Sequence, residues 1–280
     1  VFDIPVRQAR LSFGHSIGEL SALVLGGVYE MEQLLPVPLS LATDCAELTA
    51  DTTLGILSVH GGTLRIGAMV THSEIESSPL IAQHAPLMAE AAPHIAHRAI
   101  RNLGTFGGSI AYGDPAAEWP ACLLALDGLV VAQSLRGERR IAAADFFTGL
   151  YTTALAADEI ITACELPIAT ADQKFAFTEL ARRHGDYAVV GLAAAAQMQG
   201  GVLASVRLAW LGVGQQPMRT IGCEALLNGR LLNADVVAEA ALALKQEISP
   251  VADLTHSEAT KRQLASVLLK RSLLQWMNET

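Results

Sequence analysis

Thr105, Gly107, Gly108 and Ser109 crowd into one short stretch of the chain, with two carboxylates, Asp114 and Glu118, just beyond. Paired glycines let a backbone approach a ligand closely, because no Cβ intervenes. Their N–H groups can form an anion-binding concavity, with the Thr105 and Ser109 hydroxyls as further donors. That is the donor set a nucleotide diphosphate needs. Read alone, Gly107-Gly108 also fits a plain tight turn between a helix and a strand.

Other constellations carry less. Glu90, His94 and His97 have helical spacing and imitate a metal site, but Pro93 interrupts the geometry and no further ligand is evident, so a structural role is expected. Arg98 and Arg101 fit either a diphosphate or a solvated face, and Arg182 and Arg183 fit either a cofactor or Asp186. Gly212 and Gly214 read as a strand end, since no further dinucleotide-loop glycine follows. Cys45, Cys122, Cys164 and Cys223 form no C-x-x-C pair, which argues against an iron–sulfur cluster or zinc site on this chain. They read as small buried apolar residues in a reducing compartment. No catalytic residue and no metal ligand is nominated.

Composition narrows the class further. With 280 residues, 51% hydrophobic and 17% charged, the chain can bury a large core and leaves little polar surface, as if partners cover part of it. The net charge of −9 argues against nucleic acid as ligand. No stretch approaches twenty uninterrupted apolar residues, and the run Ala193–Ala196 is far too short to span a bilayer. The first residues resemble neither a signal peptide nor a methionine start, and the protein reads as cytoplasmic.

Elements must position these groups. Residues 54–70 alternate as a β-hairpin turning at Gly61-Gly62, and Thr71 with Glu74 predicts a capping box. Pro86 suits a helix start, with Leu87 and Ala91 on one face. After the glycine-rich stretch, residues 121–125 read as helix. Residues 129–132 and 140–142 read as strands joined by a turn at Arg136-Gly137-Glu138, Asp145 as a cap for Phe146-Phe147, and residues 160–166 as a strand ended by Pro167. A domain boundary is expected between Pro167 and Lys174. Beyond it come strands near 175–180, 187–198 and 202–213, with Gly200-Gly201 as a hairpin turn. Asn233 reads as the cap of a helix carrying Val236, Val237, Ala240, Ala241 and Leu244. Thr255 and Glu258 read as a second capping box, opening a helix that turns Leu264, Val267, Leu268, Leu274 and Met277 to the sheet. The expected class is α+β in two modules.

Several motifs together carry a family resemblance. They are Ile66 to His72, Arg101 to Ser109, Asp114 to Glu118, Asp145 to Phe147, Asp158-Glu159, Glu165 to Pro167, and Arg182 to Ala188. In order and approximate spacing, the chain over roughly 54–280 resembles the FAD-binding medium subunits of the molybdenum hydroxylases. That resemblance implies a two-module FAD-binding domain of the vanillyl-alcohol-oxidase type over 1–170, with subdomains 1–53 and 54–170. A C-terminal α+β domain with a three-stranded antiparallel sheet over 171–280 would follow. It implies FAD on this chain, molybdopterin on a large partner subunit and two [2Fe–2S] clusters on a small one, in a dimer of heterotrimers. Electrons would pass from the clusters through the flavin to an external acceptor.

By the same resemblance, Thr105, Gly107, Gly108 and Ser109 would line the FAD diphosphate and ribityl chain, with Ala111 and Asp114 beside them. Ile95 would pack near the cofactor, Glu118 would reach a polar group of it, Ile161 would contact the adenine end, and Tyr187 would lie beside the isoalloxazine. Gly26-Gly27 is the candidate for the second diphosphate-binding turn that the resemblance implies, a plain turn being the other reading, and Val28 to Glu32 replaces the family's small polar positions there. Glu30 and Glu32 near a dianion repel it. This departure leaves an alternative reading, a non-catalytic scaffold subunit that has lost FAD.

Overall fold

The computed structural model describes residues 52–279. Gly26, Gly27, Cys45 and the atypical stretch at 28–32 lie outside them.

The first sheet grows from a local hairpin. β1 (Leu57–His60) pairs antiparallel with β2 (Thr63–Gly67). Gly61 and Gly62 close the turn at φ +56° and +83°, angles a side chain rarely adopts. β3 (Leu129–Ser134), β4 (Gly137–Ala142) and β7 (Ile160–Pro167) complete an antiparallel sheet in the order β1-β2-β7-β3-β4. β7 is its centre, with Arg65 opposite Glu165 on one side and Val130 opposite Cys164 on the other. The β3–β4 turn falls at Leu135-Arg136, because Gly137 and Glu138 already pair with Ser134 and Gln133. A short pair, β5 (Phe147–Gly149) and β6 (Thr152–Thr153), stands apart.

Short helices complete the first module: α1 (His72–Ser77), α2 (Pro79–His84), α3 (Pro86–Ala91), α4 (Arg98–Arg101), α5 (Phe106–Tyr112), α6 (Glu118–Ala125) and α7 (Ala143–Phe146). The predicted capping box forms. Thr71 Oγ1 accepts from Glu74 N–H (3.2 Å), and Glu74 Oε2 accepts from Thr71 N–H (2.7 Å). Thr71→Ala is expected to cost about 1 kcal/mol, read by denaturant unfolding, and an unchanged midpoint would contradict the cap. Asp145 does not cap α7. It lies inside the helix, whose N-cap is Ala142.

The second sheet runs β11-β10-β9-β8, from β8 (Gln173–Ala181), β9 (Ala188–Gln199), β10 (Val202–Leu211) and β11 (Met218–Arg219). The three expected strands thus gain a two-residue edge strand. In β9 the side chains alternate between two cores. Val190, Leu192, Ala194 and Ala196 join one, and Ala193 joins the other with Ala209, Leu211 and Phe177. Burial on both faces explains the unbroken apolar run.

α8 (Ile221–Leu227), α9 (Ala234–Glu247) and α10 (Glu258–Asn278) cover the outer face of this sheet. Asn233 caps α9 by accepting from Val236 N–H (3.0 Å), and the whole expected stripe from Val236 to Leu244 is buried. On α10 the expectation is corrected. Ser257, not Thr255, is the cap, and the buried face runs through Ala265, Leu268, Leu269, Leu273 and Trp276, leaving Leu274 exposed. Trp276 Nε1 donates to the Phe175 carbonyl (2.9 Å), which ties the helix to β8.

The inner face of this second sheet meets the helices of the first module. α6 lies against β9 and β10, and α3 against β8. Gly212 N–H donates to the Pro115 carbonyl (2.9 Å), joining the end of β10 to the turn before α6.

Candidate cofactor site

The glycine-rich stretch is pinned at its inner edge. Phe106 N–H donates to the Val70 carbonyl and Gly107 N–H to the Ala68 carbonyl, both at 2.8 Å. The Ala68 N–H in turn donates to the Thr162 carbonyl of β7 (2.9 Å), beside Ile161. A Cβ on Gly107 would stand 2.5 Å from the Ala68 Cβ and 2.8 Å from its carbonyl oxygen. Gly107 is therefore a packing glycine, required for α5 to reach the end of β2. Gly104 does similar work, since a Cβ there would meet His72 Nε2 at 2.8 Å.

The expected nest of free amides is corrected by this geometry. Gly108 N–H donates to Thr105 Oγ1 (3.2 Å), and Ser109 N–H to the Thr105 carbonyl (3.2 Å), so Thr105 serves as the N-cap of α5. What faces outward is a half-buried edge of Thr105, Gly108 and Ser109, with Ala111 exposed one turn on. Donors on that edge are hydroxyls more than amides. A Cβ on Gly108 would meet Thr105 Oγ1 and no other atom outside its own helix, so its outer side is open. The neutral, small residues Thr105, Gly108, Ser109 and Ala111 of this edge fit a diphosphate.

The second expected group lies on the loop before α4. Ile95 is buried in the first core. Its loop includes Ala96 at φ +44°, and Arg101 holds it. Arg101 Nη1 donates to the carbonyls of Ile95 (3.0 Å) and Ala96 (2.9 Å), while Nε reaches Glu76 (2.9 Å). Arg101 is buried, so it supports the loop rather than reaching a diphosphate. Arg98 is exposed. Gly185, at φ +86°, packs on the same loop, where a Cβ would lie 2.7 Å from His97 Nδ1. That contact brings the exposed Tyr187 to the loop's neighbourhood. Arg182, Arg183 and Asp186 are also exposed there.

Asp114 and Glu118 occupy the turn and the first residue of α6, both buried. Asp114 Oδ1 accepts from Ala116 N–H (2.8 Å). Burial pushes the Glu118 carboxyl up to about 8, with Glu179 and Asp114 adding repulsion. The metal-like trio does not assemble. Glu90 accepts from Phe177 N–H (3.0 Å), and the His94 ring tilts against Phe177. Cys122, Cys164 and Cys223 are buried and free, their thiols pushed up by burial.

Sequence reasoning missed the pair that joins α1 to α6 within the first module. Trp119 Nε1 donates to His72 Nδ1 (2.9 Å), and the Trp119 ring meets Phe106 edge-on at 5.8 Å. His72 N–H donates to the Gly104 carbonyl (3.0 Å), so one histidine ties α6 to the glycine-rich stretch. The His72 motif was visible, but no signal in it indicated a partner 47 residues away.

Comparison with known proteins agrees with this layout. Residues 52–169 match the FAD binding domain in molybdopterin dehydrogenase, and residues 175–276 match the CO dehydrogenase flavoprotein C-terminal domain. The nicotine 6-hydroxylase medium subunit of Paenarthrobacter nicotinovorans is 38% identical, over 93% of this chain and 91% of that protein. The carbon monoxide dehydrogenase of Hydrogenophaga pseudoflava superposes with a TM-score of 0.77 at 34% identity, over 79% of this chain and 77% of that one. Quinoline 2-oxidoreductase from Pseudomonas putida 86 gives the same TM-score and identity, over 81% and 79%. No helix among the described residues is long and apolar enough to cross a membrane. The chain belongs to the FAD-binding medium subunits of the molybdenum hydroxylases.

Proposed function

We propose that this chain holds one FAD along the edge running from Ile95 through Thr105, Gly108 and Ser109 to Glu118. In this reading it relays electrons from iron–sulfur clusters of a small partner subunit to an external acceptor. The observation that carries the reading is convergence. One network of hydrogen bonds and close contacts links Arg101, the Ile95 loop, Gly185, His72, Trp119 and the glycine-rich stretch.

Each part of the site has a task. The Thr105 and Ser109 hydroxyls and the outer side of Gly108 receive the diphosphate, with Ala111 and Asp114 bounding it. Ile95 and Ile161 supply apolar walls for the ring systems, Ile161 at the adenine end. Tyr187, exposed at 66%, covers one face of the isoalloxazine and limits solvent there. Gly26-Gly27 would supply the second diphosphate turn. Bound FAD supplies the two-electron chemistry, and this chain sets its surroundings. Substrate oxidation is assigned to a large molybdopterin subunit, in a dimer of heterotrimers within the cytoplasm. The chain divides near residue 170 into a cofactor domain and a C-terminal domain.

The test is substrate-driven reduction of the purified complex. One FAD per copy of this chain should bleach when the substrate of the molybdopterin subunit is added without acceptor. A folded complex with no flavin would point instead to the scaffold reading.

A further inference from the structure

One histidine backs the glycine-rich stretch with both its main chain and its ring. His72 opens α1 and is 6% exposed. Its N–H donates to the Gly104 carbonyl (3.0 Å), and Thr71 just before it bridges to Thr105. Its ring packs on Gly104, where a Cβ would meet Nε2 at 2.8 Å and Cδ2 at 2.9 Å. His72 therefore supports the turn from which Thr105 enters α5 as its N-cap.

The ring itself is fixed from the other side. Trp119 Nε1 donates to His72 Nδ1 (2.9 Å). An indole N–H only donates, so Nδ1 carries no proton and the imidazole is the neutral Nε2–H form. Trp119 is fully buried, and without this acceptor its N–H would meet no water. A flipped ring would present carbon to that N–H. The hydrogen bond thus selects one tautomer and one ring orientation, and Gly104 rests on that orientation.

We infer that His72 is a positioning residue for the diphosphate edge: locked by Trp119, its ring holds the Gly104 turn and through it the Thr105 hydroxyl. The inference rests on the FAD reading above. Asparagine is the conservative replacement, because its Oδ1 stands as many bonds from the main chain as Nδ1 and also accepts. Leucine has a similar branched shape and no acceptor.

The experiment titrates the purified full chain with FAD, read by flavin fluorescence, beside His72→Leu, His72→Asn and Trp119→Phe. His72→Leu should weaken binding about tenfold, the weight of one buried hydrogen bond, and His72→Asn should restore it to within about twofold of wild type. Trp119→Phe, which keeps His72 and removes its donor, should weaken binding about as much as His72→Leu. Nitrogen NMR of the chain with isotope-labelled histidine needs no flavin, and its His72 signal is identified by loss in His72→Asn. At neutral pH it should show the proton on Nε2 and a bare, hydrogen-bonded Nδ1. If His72→Leu does not fold, Trp119→Phe and the NMR signal decide. A protonated Nδ1, undiminished binding by folded His72→Leu or Trp119→Phe, or no rescue by asparagine overturns this inference and leaves the FAD reading standing. No FAD bound by the wild type overturns both.

Discussion

Gly107→Val should unfold the chain at markedly lower denaturant, losing about 3 kcal/mol, and should abolish FAD binding with it. The reason is what the new side chain meets. Its Cβ would stand 2.5 Å from the Ala68 Cβ and 2.8 Å from the Ala68 backbone, and backbone cannot swing aside as a flexible side-chain tip does. α5 must lift from β2, which breaks the Gly107 and Phe106 hydrogen bonds to Ala68 and Val70. Burial of Phe106 and Ile110 then suffers as well. The neighbouring Gly108→Ala is the control. It disturbs the Thr105 cap alone, so its cost should stay at about 1 kcal/mol. Equal destabilisation by the two would refute the packing role given to Gly107.

Arg101→Met should also act at a distance from the cofactor. Its guanidinium joins Glu76 to the carbonyls of Ile95 and Ala96, and Pro93 at 3.5 Å adds a weaker contact. Removing it leaves a half-buried carboxylate and several carbonyls without their donor, at a cost of about 3 kcal/mol. Glu76 keeps some access to water, which holds the cost near the lower end of the usual range for buried pairs. The Ile95 loop then loses its anchor, and FAD affinity should drop by roughly tenfold or more. Arg101→Lys should rescue little, because a single ammonium cannot span both directions in the plane of a fork. The two readouts are thermal unfolding and FAD titration. Full rescue by lysine would show that charge alone matters, contrary to this account.

These effects divide along the line between local and distant interactions. Hairpin turns, the Thr71 box, the Asn233 cap and the α9 stripe were legible because each is written within a few consecutive residues. The misreadings are also local, and each has a physical cause. Arg136-Gly137-Glu138 looked like a turn, yet strand pairing extends through Gly137. Asp145 looked like a cap, yet α7 begins before it. On α10 the apolar residues spread around the helix, so periodicity alone could not choose between Leu274 and Leu273.

At the site, residue types were legible and their work was not. Paired glycines announced a close backbone approach, but the approach is to Ala68 within the protein. Arg101 reads in the sequence as fitting either a diphosphate or a solvated or partner-facing surface, while its burial makes it a strut. His72–Trp119 joins residues far apart in sequence, and only folding brings them into one place. The departure at Val28 to Glu32 lies outside the described residues.

Equilibrium titration of the purified full chain with FAD, beside Gly108→Leu, tests the central claim most directly. A single saturable site in the wild type, lost in a variant whose circular dichroism stays that of the folded chain and whose unfolding shifts by about the 1 kcal/mol expected for Gly108→Ala, is the predicted result. Undiminished FAD binding by folded Gly108→Leu would contradict it, because the diphosphate would then have to rest elsewhere.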